Sequence, residues 1–263
     1  MHHFLSPQTL LLTYALIALS TASQLAAAQG IAKETITLQT KTESDTSVAK
    51  ESDKQSINPG INSNFLDPEL DVDQWVARFE VESREVYQSR KEILEQLKLT
   101  SGMRIADVGA GTGFYSILFS EAVGDAGWVY AIDLSPKFVP YLSQQFDQRK
   151  LNNVTTVMCD QDSICLPPSS VDVAFICDVY HHFEFPGDTM RSIHRALSKD
   201  GRVIVIDFER IPGVTREWTI NHVRADKATF INEIQDAGFE LIAERKIQGF
   251  KDNYFLEFSK RRQ

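Results

Sequence analysis

The chain has 263 residues, 43% hydrophobic and 10% aromatic, enough to bury a sizeable core in one large domain or two small ones. Lys and Arg number 27 against 36 Asp and Glu, for a net charge of −9. That balance argues against a nucleic-acid partner, because phosphate contacts demand a basic footprint, and the C-terminal KRRQ reads as a solvated tail.

The first 32 residues carry no Lys, Arg, Asp or Glu. Within them TLLLTYALIALS (Thr9–Ser20) is an apolar block of signal-peptide length, too short for a comfortable membrane span. QLAAAQG follows, with Ala26 and Ala28 in an A-x-A cleavage pattern, although MHH replaces the usual positive start. The expectation is an export signal over residues 1–28 and a periplasmic or secreted product with no stable membrane span after cleavage. An uncleaved N-terminus anchoring the chain in a membrane is the alternative. Residues 29–64 are polar, rich in Ser, Thr, Lys and Gln, and cannot bury enough surface to offset their ordering entropy, so they read as a disordered linker. The folded domain is expected over 65–263.

Order begins near FLDPELDVDQW, where Trp75 and Phe79 stand four apart, and Ile93, Leu94 and Leu97 continue a helical stripe. FEVESREVYQSR (Phe79–Arg90) is expected to be helical. Strands are expected at 104–109, 128–134, 154–159, 171–177 and 202–208, with helices at Phe114–Ala122, Pro136–Arg149 and Pro186–Leu197 between them. A helix over Lys227–Ala237 then leads to strands at 239–247 and 253–259. Continuous apolar strands alternating with helices imply an α/β fold, a parallel sheet covered on both faces. QGFKD, between the last two strands, is too short for a crossover, so that pair should be antiparallel. The three cysteines, Cys159, Cys165 and Cys177, form no metal pattern. They read as buried or partly buried thiols, with a Cys159–Cys165 pair open in an oxidising compartment.

Ligands of open parallel sheets sit at the carboxyl ends of the strands. Asp107, Asp133, Asp160 and Asp178 all fall at such ends. The loop GAGTG (Gly109, Gly111, Gly113) is shorter than the G-x-G-x-x-G of dinucleotide sites. Asp107, two residues before it, would repel pyrophosphate but suits an ammonium group. Asp133 stands where an acid can hold both ribose hydroxyls. The combination points to a nucleoside carrying an amino acid. Each acid could instead be a helix cap or turn former, although Ser135 is the better cap before the helix at Pro136.

IADVGAGTGFYS, VYAIDLSP, VMCDQDSICLPPSSVDVAFICDVYHHF and LSKDGRVIVIDFE, in that order, resemble the motifs of class I S-adenosylmethionine-dependent methyltransferases. The resemblance covers roughly residues 71–260. It implies a Rossmann-like seven-stranded sheet, mostly parallel with an antiparallel last strand, helices on both faces, and S-adenosyl-L-methionine as cofactor. By the same resemblance Gly109, Ala110, Gly111 and Gly113 approach the methionine part, with Asp107 near its amino group. Asp133 and Leu134 lie at the ribose, and Asp160 and Gln161 at the adenine. Asp178, Tyr180, His181 and His182 flank the methyl group, the last three as candidates for substrate contact or proton removal. A neutral, hydrogen-bonded role is the competing reading for either histidine. Two segments resemble lids: the one carrying Arg84, Tyr87 and Arg90, and the H-x-R element His222–Arg224. No metal site is expected, since spacing suggests no third ligand.

The implied reaction is in-line methyl transfer to a small or lipid-like acceptor; DVYH stands where nucleic-acid and protein amine methylases carry N-P-P-Y. A binding domain that keeps the cofactor without turnover is the alternative. A nicotinamide-dependent oxidoreductase is disfavoured by the glycine spacing and Asp107.

Overall fold

The computed structural model describes residues 54–81 and 84–262. The export signal, and the linker up to residue 53, lie outside the described residues. The chain divides after Lys54, and the unit from Gln55 onward holds the fold. It starts earlier than expected: the Ile57 amide donates to the Glu184 carbonyl at 3.0 Å, and the Ser56 hydroxyl to the Glu184 carboxylate at 2.7 Å. Residues 55–64, expected in the linker, are therefore docked on the domain.

Among the described residues, four helices precede the sheet: α1 (Ser63–Leu66), α2 (Val72–Phe79), α3 (Glu85–Gln88) and α4 (Arg90–Leu97). The continuous helix expected over 79–90 does not form. Asp71 caps α2 by accepting from the Asp73 and Gln74 amides, α2 ends at Phe79, and α3 is a single turn. Alternation follows: β1 (Arg104–Val108), α5 (Phe114–Val123), β2 (Trp128–Asp133), α6 (Phe138–Arg149), β3 (Val154–Met158) and β4 (Val171–Cys177). After a 3-10 turn at Tyr180–His182 come α7 (Pro186–Ala196), β5 (Leu197–Phe208), α8 (Glu217–His222), α9 (Lys227–Asp236), β6 (Phe239–Arg245) and β7 (Asn253–Lys260). The strands form one seven-stranded sheet ordered β3-β2-β1-β4-β5-β7-β6, parallel except for β7, which is antiparallel to both neighbours. This is the expected Rossmann-like α/β sheet. Strand order reverses between β1 and β4, which opens the crevice where such sheets bind ligands.

Successive strand residues point to opposite faces, and here both faces are dry. Ala106, Ala174, Ile176, Val203 and Val205 pack with Met190 and Ile193 of α7 and Phe230 and Ile234 of α9. Their neighbours Ile105, Val173, Phe175, Ile204 and Ile206 pack with Leu97 of α4 and Phe119 and Val123 of α5. At the antiparallel edge Glu257 of β7 takes Arg202 of β5 at 3.0 Å and Arg245 of β6 on its other oxygen. The two guanidinium groups hold its carboxyl below the usual range despite burial. Among the described residues, no helix is long and apolar enough to cross a membrane. Cys159 and Cys177 are half-buried as expected, whereas Cys165 is exposed, and all three are free thiols.

Phe175 is fully buried in β4, with ring centroids 4.8 Å from Tyr115 and 5.0 Å from Phe119. Phe175→Ala is expected to destabilise the domain by about 3–5 kcal/mol through lost transfer energy and the residual cavity. Urea unfolding followed by circular dichroism checks this, with an unchanged m-value expected.

Candidate active site

The glycine loop leaves β1 under the β2 strand end, where the Gly109 and Ala110 amides donate to the Ile132 carbonyl at 2.8 and 2.9 Å. Gly109 and Gly113 have positive φ, and a Cβ on either would lie 2.6 Å from a side-chain carbon, of Val179 and Leu142 respectively. Those two glycines let the loop pack against its own protein. Gly111 differs: its open side faces Phe79 at an ordinary contact distance of 3.5 Å.

Asp133 is buried, and its two oxygens accept from the Gly111 and Ser135 amides, both at 2.8 Å. It thus ties β2 to the loop and forms a turn, while Ser135 accepts from the Lys137 and Phe138 amides before α6, as expected of a cap. Each carboxylate oxygen keeps a second lone pair, so two adjacent hydroxyls can still donate to it. Burial pushes the Asp133 carboxyl up to about 6, against the pull of its amide donors. Asp107 is buried with a single hydroxyl donor, Ser116 at 2.6 Å, and burial drives its carboxyl up to about 7. A buried acid so weakly compensated is poised to receive a cation.

Beside the loop lies a cavity of about 40 Å³, lined by Val108, Gly109, Leu134, Asp160, Gln161 and His182, among others. Asn62 also lines it, and its Oδ1 is buried with no hydrogen-bond partner. Its amide nitrogen donates to the His182 carbonyl at 3.1 Å. An aromatic cluster covers the loop: Phe65 meets Trp75, Phe138 and His182, and Phe79 meets Trp75 and Phe138, with centroids 4.8–6.5 Å apart. A cavity of that size is smaller than a nucleoside.

Of the expected lid residues, Arg84 reaches the site. It pairs with Asp178 at 2.5 Å, donates to the Phe79 carbonyl and lies over the Phe79 ring. Asn253 donates to the other Asp178 oxygen at 2.8 Å. Asp178 therefore anchors the N-terminal segment, where the resemblance implied a cofactor contact. Tyr87 packs on Phe114 and carries Arg90 on its ring, so this pair braces α5.

His181 accepts no free role. It is buried, and its Nδ1 lies 2.7 Å from Asp207, which also accepts from the His181 amide at 3.1 Å. His182 is pushed down to about 2, by burial first and then by the neighbouring His181 and His222, so it is neutral at physiological pH. Tyr180, expected at the methyl group, is fully buried against Phe183 and Phe230, with its hydroxyl on Glu233 at 3.1 Å. Glu233 also takes both Arg224 Nη atoms, at 2.8 and 2.6 Å. Tyr180 and Arg224 thus both bond Glu233 of α9. His222 does arrive at the site, stacked on Trp218 at 4.7 Å and 5.0 Å from the His181 ring. Asp207, Asn62, Ser116 and Trp218 escaped the sequence reading. Only Asp207 left a signal, as an acid ending the apolar run RVIVIDF.

Residues 99–259 match a family model described as a methyltransferase domain. The chain belongs to the class I S-adenosylmethionine-dependent methyltransferases. The cofactor of that family is S-adenosyl-L-methionine, which sets the nicotinamide reading aside. Among curated relatives is the Azotobacter vinelandii ubiquinone/menaquinone biosynthesis C-methyltransferase UbiE, 28% identical over 110 residues, or 41% of this chain and 44% of that protein. The Shewanella sp. protein of the same name is 25% identical over 122 residues, or 46% and 49%. The chain spans about half the length of these relatives. An S-adenosylmethionine-dependent methyltransferase from Aquifex aeolicus shares the fold, with a TM-score of 0.64 and 24% identity over 72% of this chain and 98% of that one. The [4+2]-cyclase SpnF does so with 0.57 and 17%, over 66% and 80%.

The residues present fit the family's cofactor. Asp133 keeps free lone pairs beside the loop, Asp107 has no cationic partner among the described residues, and Asn62 Oδ1 and Asp160 offer acceptors in the cavity. Because the folded-state pKa of Asp107 is raised, the folded protein binds the proton more tightly than the unfolded chain. Its stabilising contribution is complete below about pH 4, the unfolded value, and is lost as pH rises to about 7. The Tm of the wild type relative to Asp107→Asn is therefore expected to fall across this window and level off above it, by calorimetry at stepped pH.

Proposed function

We propose that the protein transfers the methyl group of S-adenosylmethionine to a small, planar aromatic acceptor of the quinol or phenol type. The observation that carries this reading is the ring-lined cover over the glycine loop, where Phe65, Trp75, Phe79, Phe138 and His182 meet. Flat rings stack in such surroundings, and the negative net charge disfavours a polyanionic acceptor. The relatives named for ubiquinone and menaquinone biosynthesis support a quinone-like acceptor and methylation at carbon.

The cofactor supplies a methyl group already activated on a sulfonium, so the protein's task is alignment and exclusion of water. Asp133 and the loop hold the nucleoside, Asp107 receives the ammonium, and α1 and α2 seal the site. His182, neutral and beside the cavity, offers the acceptor an uncharged ring. Export remains part of the proposal, resting on the apolar Thr9–Ser20 block and the Ala26 and Ala28 pattern. Cell fractionation with a C-terminal epitope tag tests it: recovery in the cytosol at full length would overturn it.

Removing Asp133 deletes an ionised acceptor for two ribose hydroxyls, each such bond being worth about 1.5–3 kcal/mol. Asp133→Ala is expected to weaken S-adenosylhomocysteine binding by roughly 100-fold or more in calorimetry, with Asp160→Ala costing less. Unchanged affinity in Asp133→Ala would overturn the ribose assignment. Methyl transfer from labelled cofactor should appear with hydroquinone or catechol-type acceptors. No transfer to any member of an aromatic acceptor panel would overturn the substrate class.

A further inference from the structure

Three imidazoles converge at the carboxyl edge of the sheet from two separate parts of the chain. His181 and His182 stand on the turn after β4, and His222 ends α8. Their ring centroids are mutually 4.3, 5.0 and 5.1 Å apart, and one ligand nitrogen from each lies within 4.8 Å of the others. The donor atoms are free for such use. Nδ1 of His181 lies on Asp207, which as a donor to that carboxylate would leave Nε2 as the lone-pair nitrogen, and among the described residues the buried Nδ1 of His182 has no hydrogen-bond partner. A stack of rings held only by packing would gain nothing from that orphaned nitrogen, nor from a carboxylate that sets the tautomer of its neighbour. Both features belong to metal sites, where a carboxylate behind a ligating histidine orients the ring and raises its basicity.

We propose that His181, His182 and His222 form a three-imidazole site for a first-row divalent transition metal, with Asp207 as the orienting carboxylate and one coordination position open toward the cofactor cleft. Nitrogen donors select zinc, cobalt, iron, nickel or copper over calcium and magnesium, which demand oxygen. Around a tetrahedral ion with bonds of about 2.0–2.1 Å the nitrogens stand about 3.3 Å apart, so closure asks for a movement of up to about 1.5 Å. His222, at the end of a six-residue helix, can supply it. Three protein ligands leave a fourth position free, and His182 lines the cavity shared with Gly109 and Leu134, so that position borders the cleft. What it would hold rests on the methyl-transfer reading: an acceptor oxygen beside the transferred methyl.

The test uses the full-length chain, stripped with chelator and titrated with Co²⁺ under visible absorption and with Zn²⁺ in a calorimeter. One equivalent of Co²⁺ is expected, with the visible bands of a four- or five-coordinate ion. His182→Ala and His222→Ala should each weaken it at least tenfold, and Asp207→Asn by about 10–100-fold. His194→Ala and a variant without His2 and His3 should bind as the wild type does. S-adenosylhomocysteine titrated into each preparation reports whether the cofactor site is folded, so metal loss in a variant that still binds it is loss of a ligand. Absence of stoichiometric Co²⁺ in the wild type, or an affinity unchanged in both His182→Ala and His222→Ala, would overturn the assignment. Failure of the wild type to bind S-adenosylhomocysteine would strike the methyl-transfer reading and leave the metal site standing.

Discussion

Four carboxylates brought dry to one edge of a parallel sheet set the terms for everything around them. Asp107, Asp133, Asp178 and Asp207 each leave a strand end at the same side, each buried. Water cannot solvate them, so each needs a partner from the protein. Asp178 has the Arg84 guanidinium and Asp207 has the His181 ring. Asp107 and Asp133 receive only a hydroxyl and backbone amides, and burial raises both. The unequal compensation separates roles. The two acids lacking a cation sit beside the glycine loop, where a positively charged amino-acid nucleoside would complete them. The two with a side-chain partner hold structure: one fastens the N-terminal segment, and the other fixes the ring of His181.

That fastening holds the segment before β1 in place over the glycine loop. Arg84 joins Asp178 to the Phe79 carbonyl and ring, and Glu85 accepts from the Lys251, Asp252 and Asn253 amides. The segment after α2 is thus pinned to the β6–β7 connection, while α1 and α2 themselves touch the site through rings. Aromatic contacts are weakly directional compared with charge-assisted hydrogen bonds.

The strands, most helices and the antiparallel end were legible because apolar runs, turn residues and a five-residue connection each allow few solutions. The region before β1 was not. FEVESREVYQSR carries a helical pattern, yet Glu85 and Arg84 find stronger partners in distant segments, and the helix breaks. Tertiary bonds outweighed local propensity there. Asp107, Asp133 and the glycine loop were legible as a site because spacing along one strand-loop-helix unit is a local property.

Sequence alone therefore determined the sheet and the glycine loop beside Asp107 and Asp133, since these depend on neighbours within about one supersecondary unit. Only the tertiary structure decided the fate of side chains whose partners lie far along the chain. It sent Tyr180 and Arg224 to Glu233 and into the packing of α9, and it gave His181 to Asp207. It also carried His222 to the histidine pair, making a cluster that no spacing in the sequence announces. The reason is physical: a buried polar group takes whichever partner the folded chain brings within about 3 Å, and that partner's position is set by packing, not by sequence distance.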